Sequence, residues 1–390
     1  MPTPDALSSL TPDMTAWRRD MHRHPELGFE ERRTAAFVAG CLRGWGLEVT
    51  EGIARTGVVG TLRRGGGNRA IALRADMDAL AMPEATGVAY ASENPGVMHA
   101  CGHDGHTAML LGAARWLATD GAFNGIVHFV FQPAEESLGG AGVMVAEGLF
   151  ERFPAEAVYG LHNLPGLRLG AVAVNAGPVL AGSDTWEVTL RGAGTHGAKP
   201  HLGTDATLAA AQFITALQGI VARELDPLEA GVVSVGHIAA GNPAAPNVIP
   251  SEVFLRGTAR SFSADTRDLL ERRIGEIARG VAAIHGVAAE PRYIRRLGPT
   301  VNHAAQAGIA ARAAAATLGE GGVVHDQPPI TAGEDFSVML ERVPGAYAWL
   351  GTGEPAHPES VHHNPHFAFN DEALPIGAAW WCGVVEAELG

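Results

Sequence analysis

The chain has 390 residues, 46% of them hydrophobic and 18% charged, with a formal net charge of −14. This length exceeds a single ordinary core and predicts two domains, while the acidic balance argues against general nucleic-acid binding, which needs a basic face. No stretch has the roughly 18 apolar residues that a membrane span needs, so we expect neither nucleic acid nor membrane as a partner.

Helical and strand-like segments alternate in the first half of the chain. After a helical segment that ends near Gly44, "GVVGTLRR" and "RAIALRADMD" are predicted to form a hairpin of two strands joined by a Gly-rich turn. "HTAMLLGAARWLAT" is a predicted helix, and the strands "NGIVHFVFQ" and "AEAVYGLHN" flank the helix "GGAGVMVAEGLF". This alternation predicts an α/β domain with a mostly parallel sheet and helices on both faces. The ligand site of such a sheet lies beyond the carboxyl ends of its strands.

The pattern changes near residue 183. "SDTWEVTLRG" alternates as a half-exposed strand does, and the segments that follow read helix, strand, strand, helix and strand, ending with "AEPRYIRR". This β-α-β-β-α-β order is typical of a ferredoxin-like α+β fold. We therefore predict an inserted domain over 183–296 and a discontinuous first domain over 1–182 and 297–390. The last part of the first domain is predicted to carry a helix in "GVVHDQPPITAGEDFSVML", a strand in "GAYAWLGTG" and a final helix in "HHNPHFAFNDEALPIGAAWWCGVV".

The segment "MHACGHDGHTA" places Cys101 two residues before His103. A thiolate and an imidazole suit zinc or another borderline transition metal. Residues two apart do not share a helix face, so both can bind one centre only if this backbone is not helical. The alternative is that Cys101 is a small buried hydrophobe and the histidines cap the next helix. Cys41 and Cys382 lie far away, which argues against a disulfide scaffold and favours a reducing cytoplasm.

Glu135 and Glu136 follow the predicted strand "IVHFVFQ". Adjacent residues there point in different directions, so one carboxylate can bind a metal while the other faces a water beside it. That division of roles is what a hydrolase needs, namely a ligand and a general base. The alternative is a solvated pair of acids at the start of the next helix, where they favour its dipole.

Other polar residues follow predicted strands or lie near the C-terminus. Asp76 and Asp78 end an apolar strand and are placed to orient histidine ligands. His162 follows another strand, and His363 belongs to "HHNPHFAFND". Taken singly, each histidine is as well explained by a hydrogen bond in the core.

The segment "GAGTHG" satisfies the G-x-G-x-x-G pattern of dinucleotide-binding folds. Such a fold needs a helix that opens on the glycines and receives the phosphate at its N-terminus. Here "AKPHLG" follows instead, and its proline and glycine favour a loop. This segment therefore gives little support to the hypothesis of a nucleotide-dependent oxidoreductase.

Taken together and in order, the clusters resemble the M20 metallopeptidase family and, within it, the amidohydrolase branch of hippurate hydrolases, aminoacylases and auxin-conjugate hydrolases. The resemblance extends from about residue 17 to residue 386 and is carried by "LRADMDAL", "MHACGHDGHTAMLLGAA", "FQPAEE", "GLHN", "GTHGAKPH", "NVIP", "AGEDF" and "HHNPHFAFND".

The resemblance implies two divalent ions (manganese, zinc, nickel or cobalt) held by a cysteine, a glutamate and three histidines. The matching residues here are Cys101, His103, Glu136, His162 and His363. Glu135 matches the general base. Asp76 and Asp78 stand where related branches have a ligand histidine and a supporting aspartate, so we expect them to support the ligands. Cys101 is then a metal ligand and not a nucleophile.

The resemblance also implies that the inserted domain is a lid and a dimer interface. His196 matches a lid histidine that resembles an oxyanion donor, commonly supplied by the partner subunit, and Asn247 matches a residue that contacts the substrate carboxylate. Arg256 is a further candidate for that carboxylate. A homodimer or tetramer is expected on this basis.

The activity implied is hydrolysis of the amide bond of an N-acyl amino acid, which releases a carboxylic acid and a free amino acid. Benzoyl, acetyl, indole-acetyl and longer acyl groups are all compatible with the resemblance. Two alternatives stay open: a dipeptidase or carboxypeptidase of the same fold, and a homologue that binds metal or ligand without catalysis.

Overall fold

A computed structural model describes residues 1–136, 139–355 and 358–390, and the chain divides into two compact units. The first unit consists of Met1–Gly177, Val301–Pro328 and Asp335–Gly390, and the second of Pro178–Thr300 and Pro329–Glu334. The lid role of the second unit and the domain bounds 183 and 296 stay predictions.

The first part of unit 1 alternates helices and strands. In chain order its elements are α1 (Thr11–Arg23), α2 (Arg32–Gly44), β1 (Glu48–Ile53), β2 (Gly57–Arg64), β3 (Ala70–Asp76), α3 (His103–Thr119), β4 (Gly125–Gln132), α4 (Gly140–Ala146), α5 (Leu149–Arg152), β5 (Ala157–Leu164) and β6 (Val172–Ala173). All seven residues of β3 are buried, as expected for an apolar strand inside a sheet that is covered on both faces.

Unit 2 is an antiparallel sheet with two long helices. From the boundary onward the chain forms β7 (Gly177–Leu180), β8 (Gly182–Arg191), β9 (Thr195–His196), α6 (Ala206–Gly219), β10 (Gly231–Ala240), β11 (Val248–Ile249), β12 (Glu252–Ser261), α7 (Ala264–His285) and β13 (Ala288–Leu297). The sheet order β10-β12-β8-β13 is the ferredoxin-like arrangement. The side chain of Asp205 caps α6 and that of Ser263 caps α7.

The chain then returns to complete unit 1 with β14 (Thr300–Asn302), α8 (Ala304–Leu318), β15 (Val323–Val324), α9 (Phe336–Leu340), β16 (Gly345–Gly351) and α10 (Leu374–Leu389). β16 lies between β5 and β6 in an eight-stranded sheet of order β1-β2-β4-β3-β5-β16-β6-β15. The neighbours β4, β3, β5 and β16 are parallel, whereas β1 and β2 are antiparallel. The predicted hairpin of β2 and β3 is wrong, because β4 lies between these two strands in the sheet.

The predicted fold class, α/β with a large, mostly parallel sheet, is confirmed. In unit 1, α8 and α10 pack together, and the indole of Trp380 donates a hydrogen bond to the carbonyl of Ala310 at 3.1 Å. None of the helices in the described ranges is both long enough and apolar enough to cross a bilayer.

Candidate metal centre

The carboxyl ends of the central strands of unit 1 carry most of the predicted site. Asp76 is the last residue of β3, Glu135 and Glu136 follow β4, and His162 lies near the end of β5. Cys101 precedes α3, and His103 is the first residue of that helix, after Gly102 in the left-handed region at φ 98°. The change of backbone at Gly102 allows two residues that are only two apart to serve the same centre.

The potential ligand atoms of these residues are gathered together. One group consists of Cys101, Glu136 and His363, with all three atoms within 4.8 Å of one another. A second, fully buried group is Asp76, His103, His106 and His162. The Sγ atom of Cys101 lies 3.4 Å from Nε2 of His162, and Nε2 of His363 lies 3.1 Å from Oε1 of Glu136. The structure thus brings all five predicted ligands into one cluster.

Hydrogen bonds at the far side of two rings leave Nε2 available as a ligand atom. The Nδ1–H of His162 donates to the backbone carbonyl of Asn163 at 2.8 Å. Nδ1 of His103 lies 3.3 Å from a carboxylate oxygen of Asp78, and among the described residues its buried Nε2 has no hydrogen-bond partner. A buried imidazole nitrogen without a hydrogen-bond partner, on a ring whose other nitrogen is held by a carboxylate, is the usual arrangement of a metal-binding histidine.

Burial and nearby charges determine the protonation of the cluster. Burial and the negative charge of Glu136 raise the pKa of the Cys101 thiol well above its ordinary value. Burial lowers the pKa of His103, but the charge of Asp76 and the hydrogen bond to Asp78, together with the effects of Cys101, outweigh burial, so the pKa is raised. Both groups therefore hold protons that a divalent cation would displace. Burial and the neighbouring rings of His106 and His362 hold the pKa of His162 far below its usual range, so that ring stays neutral.

His106 and Asp76 are occupied by hydrogen bonds to protein atoms. Nδ1 of His106 lies 2.6 Å from a carboxylate oxygen of Asp76, and its Nε2 lies 2.7 Å from the side-chain oxygen of Asn163. The buried Arg74 donates to the other oxygen of Asp76 at 2.8 Å and to Asp335 at 3.2 Å. This favours a supporting role for Asp76.

Sequence reasoning assigned no role to His106, Arg74 or Asp335. An arginine inside an otherwise apolar strand was the signal available for Arg74, because a buried charge needs partners.

Asp78 fixes the segment that carries the two glutamates. Its carboxylate oxygens accept the backbone N–H groups of Glu135 at 3.1 Å and of Glu136 at 2.9 Å. The side chain of Glu135 is half-buried, and one of its carboxylate oxygens lies within 4.8 Å of potential ligand atoms of His103 and Glu136. Asp78 thus supports both the loop after β4 and the ring of His103.

The loop that carries His363 is tied to the same cluster. His363 has a left-handed backbone at φ 60°, and its N–H donates to the carbonyl of Ala100 at 2.8 Å. The side-chain amide of Asn163 donates to Nε2 of His362 at 2.9 Å. These two bonds hold a strained turn whose side chain reaches Glu136.

The three predicted lid residues lie in unit 2. His196 in β9 pairs with Val248 in β11, and Gly197 donates its N–H to the carbonyl of Asn247 at 2.7 Å. A cleft of about 750 Å³ is lined by residues that include His196 and Asn247. Arg256 lies in β12 beside Glu187 at 3.5 Å and, as far as the described residues go, is not in the lining of this cleft.

The "GAGTHG" segment forms part of β9 and a loop. It leads into a short 3-10 turn over Pro200–Leu202, and α6 begins only at Ala206. The glycines therefore do not open a helix, and the arrangement differs from that of a dinucleotide-binding fold.

Comparisons with known proteins give the family. The profile of peptidase family M20/M25/M40 matches residues 72–387. The chain belongs to peptidase family M20. It is 39% identical to a hippurate hydrolase of Campylobacter jejuni, with 93% of each chain covered, and 38% identical to an N-acetyl-L-cysteine deacetylase of Bacillus subtilis, with 95% of this chain and 87% of that protein covered.

Among solved structures of the M20 family, the Bacillus subtilis YXEP protein, described as a dinuclear metal-binding peptidase, is similar to this chain with a TM-score of 0.85. The two share 33% identity over 98% of this chain and 99% of that one. The relatives belong to the amidohydrolase branch, so the chain is a metal-dependent amidohydrolase of family M20. Its cluster of thiol, imidazole and carboxylate donors fits divalent metal ions.

Proposed function

We propose that this protein hydrolyses the amide bond of N-acyl amino acids, with Glu135 as the general base. The observation that carries the proposal is the half-buried Glu135 side chain, which has a carboxylate oxygen within 4.8 Å of potential metal-ligand atoms of His103 and Glu136. The names of the curated relatives, a hippurate hydrolase and an acetylcysteine deacetylase, support an N-acyl amino acid as substrate.

Two divalent ions per chain would be held by Cys101, His103, Glu136, His162 and His363. The grouping of Cys101 with Glu136 and His363, and of His103 with His162, supports two adjacent positions. Bound ions of this kind would supply Lewis acidity, giving a more acidic water and a polarised amide carbonyl. Manganese, zinc, nickel and cobalt all accept this mixed donor set.

The residues of the chain then divide the remaining work. Glu135 takes the proton of the attacking water and delivers it to the leaving amine, which is the usual task of a general base that later acts as an acid. His196, from this chain or from a partner, donates to the developing oxyanion. Loss of a donor of that type costs about 2.7–4 kcal/mol of transition-state stabilisation. Asn247 and Arg256 are proposed to receive the substrate carboxylate.

We further propose that the chain forms a homodimer, or a tetramer, through unit 2. β10 lies at the edge of its sheet, and its residues 236–240 are exposed, with Ile238 at 53%. An exposed edge strand without charges offers unpaired backbone groups to a second chain. The cytoplasmic location stays a prediction; all three cysteines are free.

Metal analysis combined with an amide-hydrolysis panel tests the proposal. Purified protein, loaded in turn with manganese, zinc, nickel or cobalt, is assayed for bound metal by mass spectrometry. It is then assayed with hippurate, N-acetyl amino acids and dipeptides. We expect about two ions per chain and metal-dependent release of amino acid from the N-acyl substrates. Release of amino acid from dipeptides alone would indicate a dipeptidase. Bound metal without release from any substrate would indicate a protein that binds metal without catalysis.

A further inference from the structure

We propose that Glu31 is a positioning residue for Glu135, so this inference rests on the proposed function. Glu31 directly precedes α2 and is fully buried. Oε1 of its carboxylate accepts the backbone N–H of Ala134 at 2.8 Å, and Oε2 accepts the hydroxyl of Thr56. Ala134 is the residue immediately before Glu135.

Glu31 does not serve its own helix. The first free N–H groups of α2, those of Arg33 and Thr34, both donate to the carboxylate of Glu26 at 2.9 Å. No side-chain cap is made by Glu31 itself. Its carboxylate is therefore directed away from the helix and toward the loop after β4.

The backbone around this carboxylate is strained. Within the described ranges, five residues other than glycine have positive φ. Three of them lie one or two residues before Glu31 or Thr56, namely Phe29 at 64°, Ala54 at 49° and Arg55 at 73°, and a fourth is the donor Ala134 itself at 55°. The fifth is His363. L-residues seldom adopt this conformation, and it persists only where surrounding contacts enforce it. The strain is thus concentrated at a proposed metal ligand and around Glu31.

The turn before β2, which carries Thr56, packs against the loop after β4. Ala54 donates its N–H to Glu147 at 2.7 Å, which holds the strained turn in place. A Cβ atom added at Gly57 would come within 3.1 Å of the ring of Pro133. The turn therefore packs closely against the residue before Ala134, and Thr56 lies where it can fix the Glu31 carboxylate.

Three backbone N–H groups of the loop after β4 donate hydrogen bonds to two carboxylates. Ala134 donates to Glu31, while Glu135 and Glu136 donate to Asp78. Without Glu31, the N–H of Ala134 would be left without its acceptor in a buried position, and Ala134 could relax from its left-handed conformation. That relaxation would rotate the chain just before Glu135, and a displacement of about 1 Å at a reacting group can cost on the order of 100-fold in rate.

The first test compares Glu31→Ala, Glu31→Gln and Glu388→Ala in the manganese-loaded protein with hippurate as substrate. Glu388 is a buried glutamate whose carboxylate accepts the hydroxyl of Tyr159, far from the loop after β4, and serves as the matched control. We expect Glu31→Ala to keep its metal but lose about 10- to 100-fold in kcat, with KM changed less than about threefold. The amide oxygen of Glu31→Gln still accepts from Ala134, so this variant should stay within about threefold of the parent.

A second readout does not depend on activity. Hydrogen exchange of the metal-free protein, followed by mass spectrometry, should be at least about tenfold faster in peptides covering 133–136 of Glu31→Ala, and parental there in Glu388→Ala. Parental kcat and parental exchange in Glu31→Ala would overturn the proposal, as would a Glu31→Gln variant that is as impaired as the alanine variant.

Thr56→Val decides the question if Glu31→Ala does not fold. This variant keeps the carboxylate but removes the hydroxyl that fixes it. A kcat loss of about threefold or more with faster exchange at 133–136 supports the proposal, and parental values contradict it. Glu135→Gln distinguishes a failure of the proposed function from a failure of the inference about Glu31. If it keeps parental turnover, the proposed base is wrong, while the exchange data still test the contact between Glu31 and Ala134.

Discussion

Two of the three cysteines are buried thiols, and they differ in what surrounds them. Sγ of Cys382 in α10 lies 4.0 Å from the carbonyl of Ala113, in an otherwise apolar core. Cys101 faces His162, Glu136 and His363. Burial raises the pKa of both thiols, and Glu136 adds to the effect at Cys101. Cys101 lies among carboxylate and imidazole donors that would bind a cation beside its thiolate, whereas Cys382 lies in an apolar core with the charge of Glu386 nearby.

Alanine at each cysteine should separate the two roles. We expect Cys101→Ala to weaken metal affinity by at least about 100-fold, because loss of a supporting residue alone typically costs 10- to 100-fold. Cys382→Ala should lower thermal stability and leave the metal content unchanged. Metal titration followed by mass spectrometry checks both, and unchanged metal affinity in Cys101→Ala would remove it from the ligand set.

His128 in β4 links stability to pH at a point outside the metal centre. Its Nδ1 lies 2.9 Å from the hydroxyl of Thr61. Burial lowers the pKa of His128 to about 4, and the charge of Arg63 acts in the same direction. The unfolded chain, with an ordinary pKa near 6.5 at this residue, therefore binds a proton at a higher pH than the folded chain does. Stability contributed here is present above pH 6.5 and is lost as the pH falls toward 4.

We expect about 3 kcal/mol of unfolding free energy to be lost at this residue between pH 6.5 and pH 4. His128→Gln removes the titrating ring, so the stability difference between the parent and this variant should shrink as the pH falls through that window. Urea unfolding of metal-free protein at a series of pH values measures it. A difference that stays constant from pH 7 to pH 4 would contradict the assignment.

At the scale of elements, the first turn of α3 is positioned by close packing. A Cβ atom added at Gly105 would lie 2.4 Å from the ring of Phe369, so the helix approaches that ring as closely as a glycine allows. The same turn carries His103 and His106. The spacing between α3 and the C-terminal segment therefore sets the position of one proposed ligand and one supporting histidine.

Gly105→Ala should shift this turn. We expect a loss of about 1–3 kcal/mol in stability together with weaker metal binding, and partial recovery of both when Phe369→Leu is added. Gly40→Ala is the matched control, because a Cβ there meets nothing within 4 Å, and alanine in the middle of α2 should stabilise by about 0.5–1 kcal/mol. Thermal unfolding and metal titration of the four proteins check the prediction, which fails if Gly105→Ala behaves like Gly40→Ala.

The elements and donors that sequence reasoning found are those with a local signal. Strand β3 is an apolar run that ends in two acids, and Cys101 and His103 are residue types that rarely cluster without a reason. α8 was missed because its alanine-rich sequence has no contrast between apolar and polar positions from which a helical period could be read. Glu31 was missed because its partner Ala134 is 103 residues away, and the pairing of Arg74 with Asp335 was missed because these two residues are 261 apart.

At the scale of the whole molecule, the two edges of the unit 2 sheet differ. β13 carries a proline and several charged side chains, which protect an edge against pairing. β10 reads "GVVSVGHIAA" and carries no Lys, Arg, Asp or Glu. This difference favours β10 as the edge that meets a second copy of the chain.

Ile238→Lys places a charge on that exposed edge. If β10 is the interface, the parent should sediment as a dimer or tetramer, and this variant as a monomer with unchanged thermal unfolding of each unit. Leu208→Lys on α6, also exposed at 52%, is the control for an added surface charge away from the edge strand. Analytical ultracentrifugation compares the three proteins, and an unchanged assembly in Ile238→Lys would move the interface elsewhere.

The insertion of β16 between β5 and β6 has a consequence for biosynthesis. The ribosome makes the chain from the N-terminus, so unit 2 is complete while the sheet of unit 1 still lacks a central strand. His363 emerges later still, after β16. Until then the nascent chain contains only four of the five proposed ligands, namely Cys101, His103, Glu136 and His162. With the proposed ligand set, the metal centre can therefore be completed only late in synthesis, and a chain interrupted between residues 334 and 363 would contain all of unit 2 but an unfinished centre.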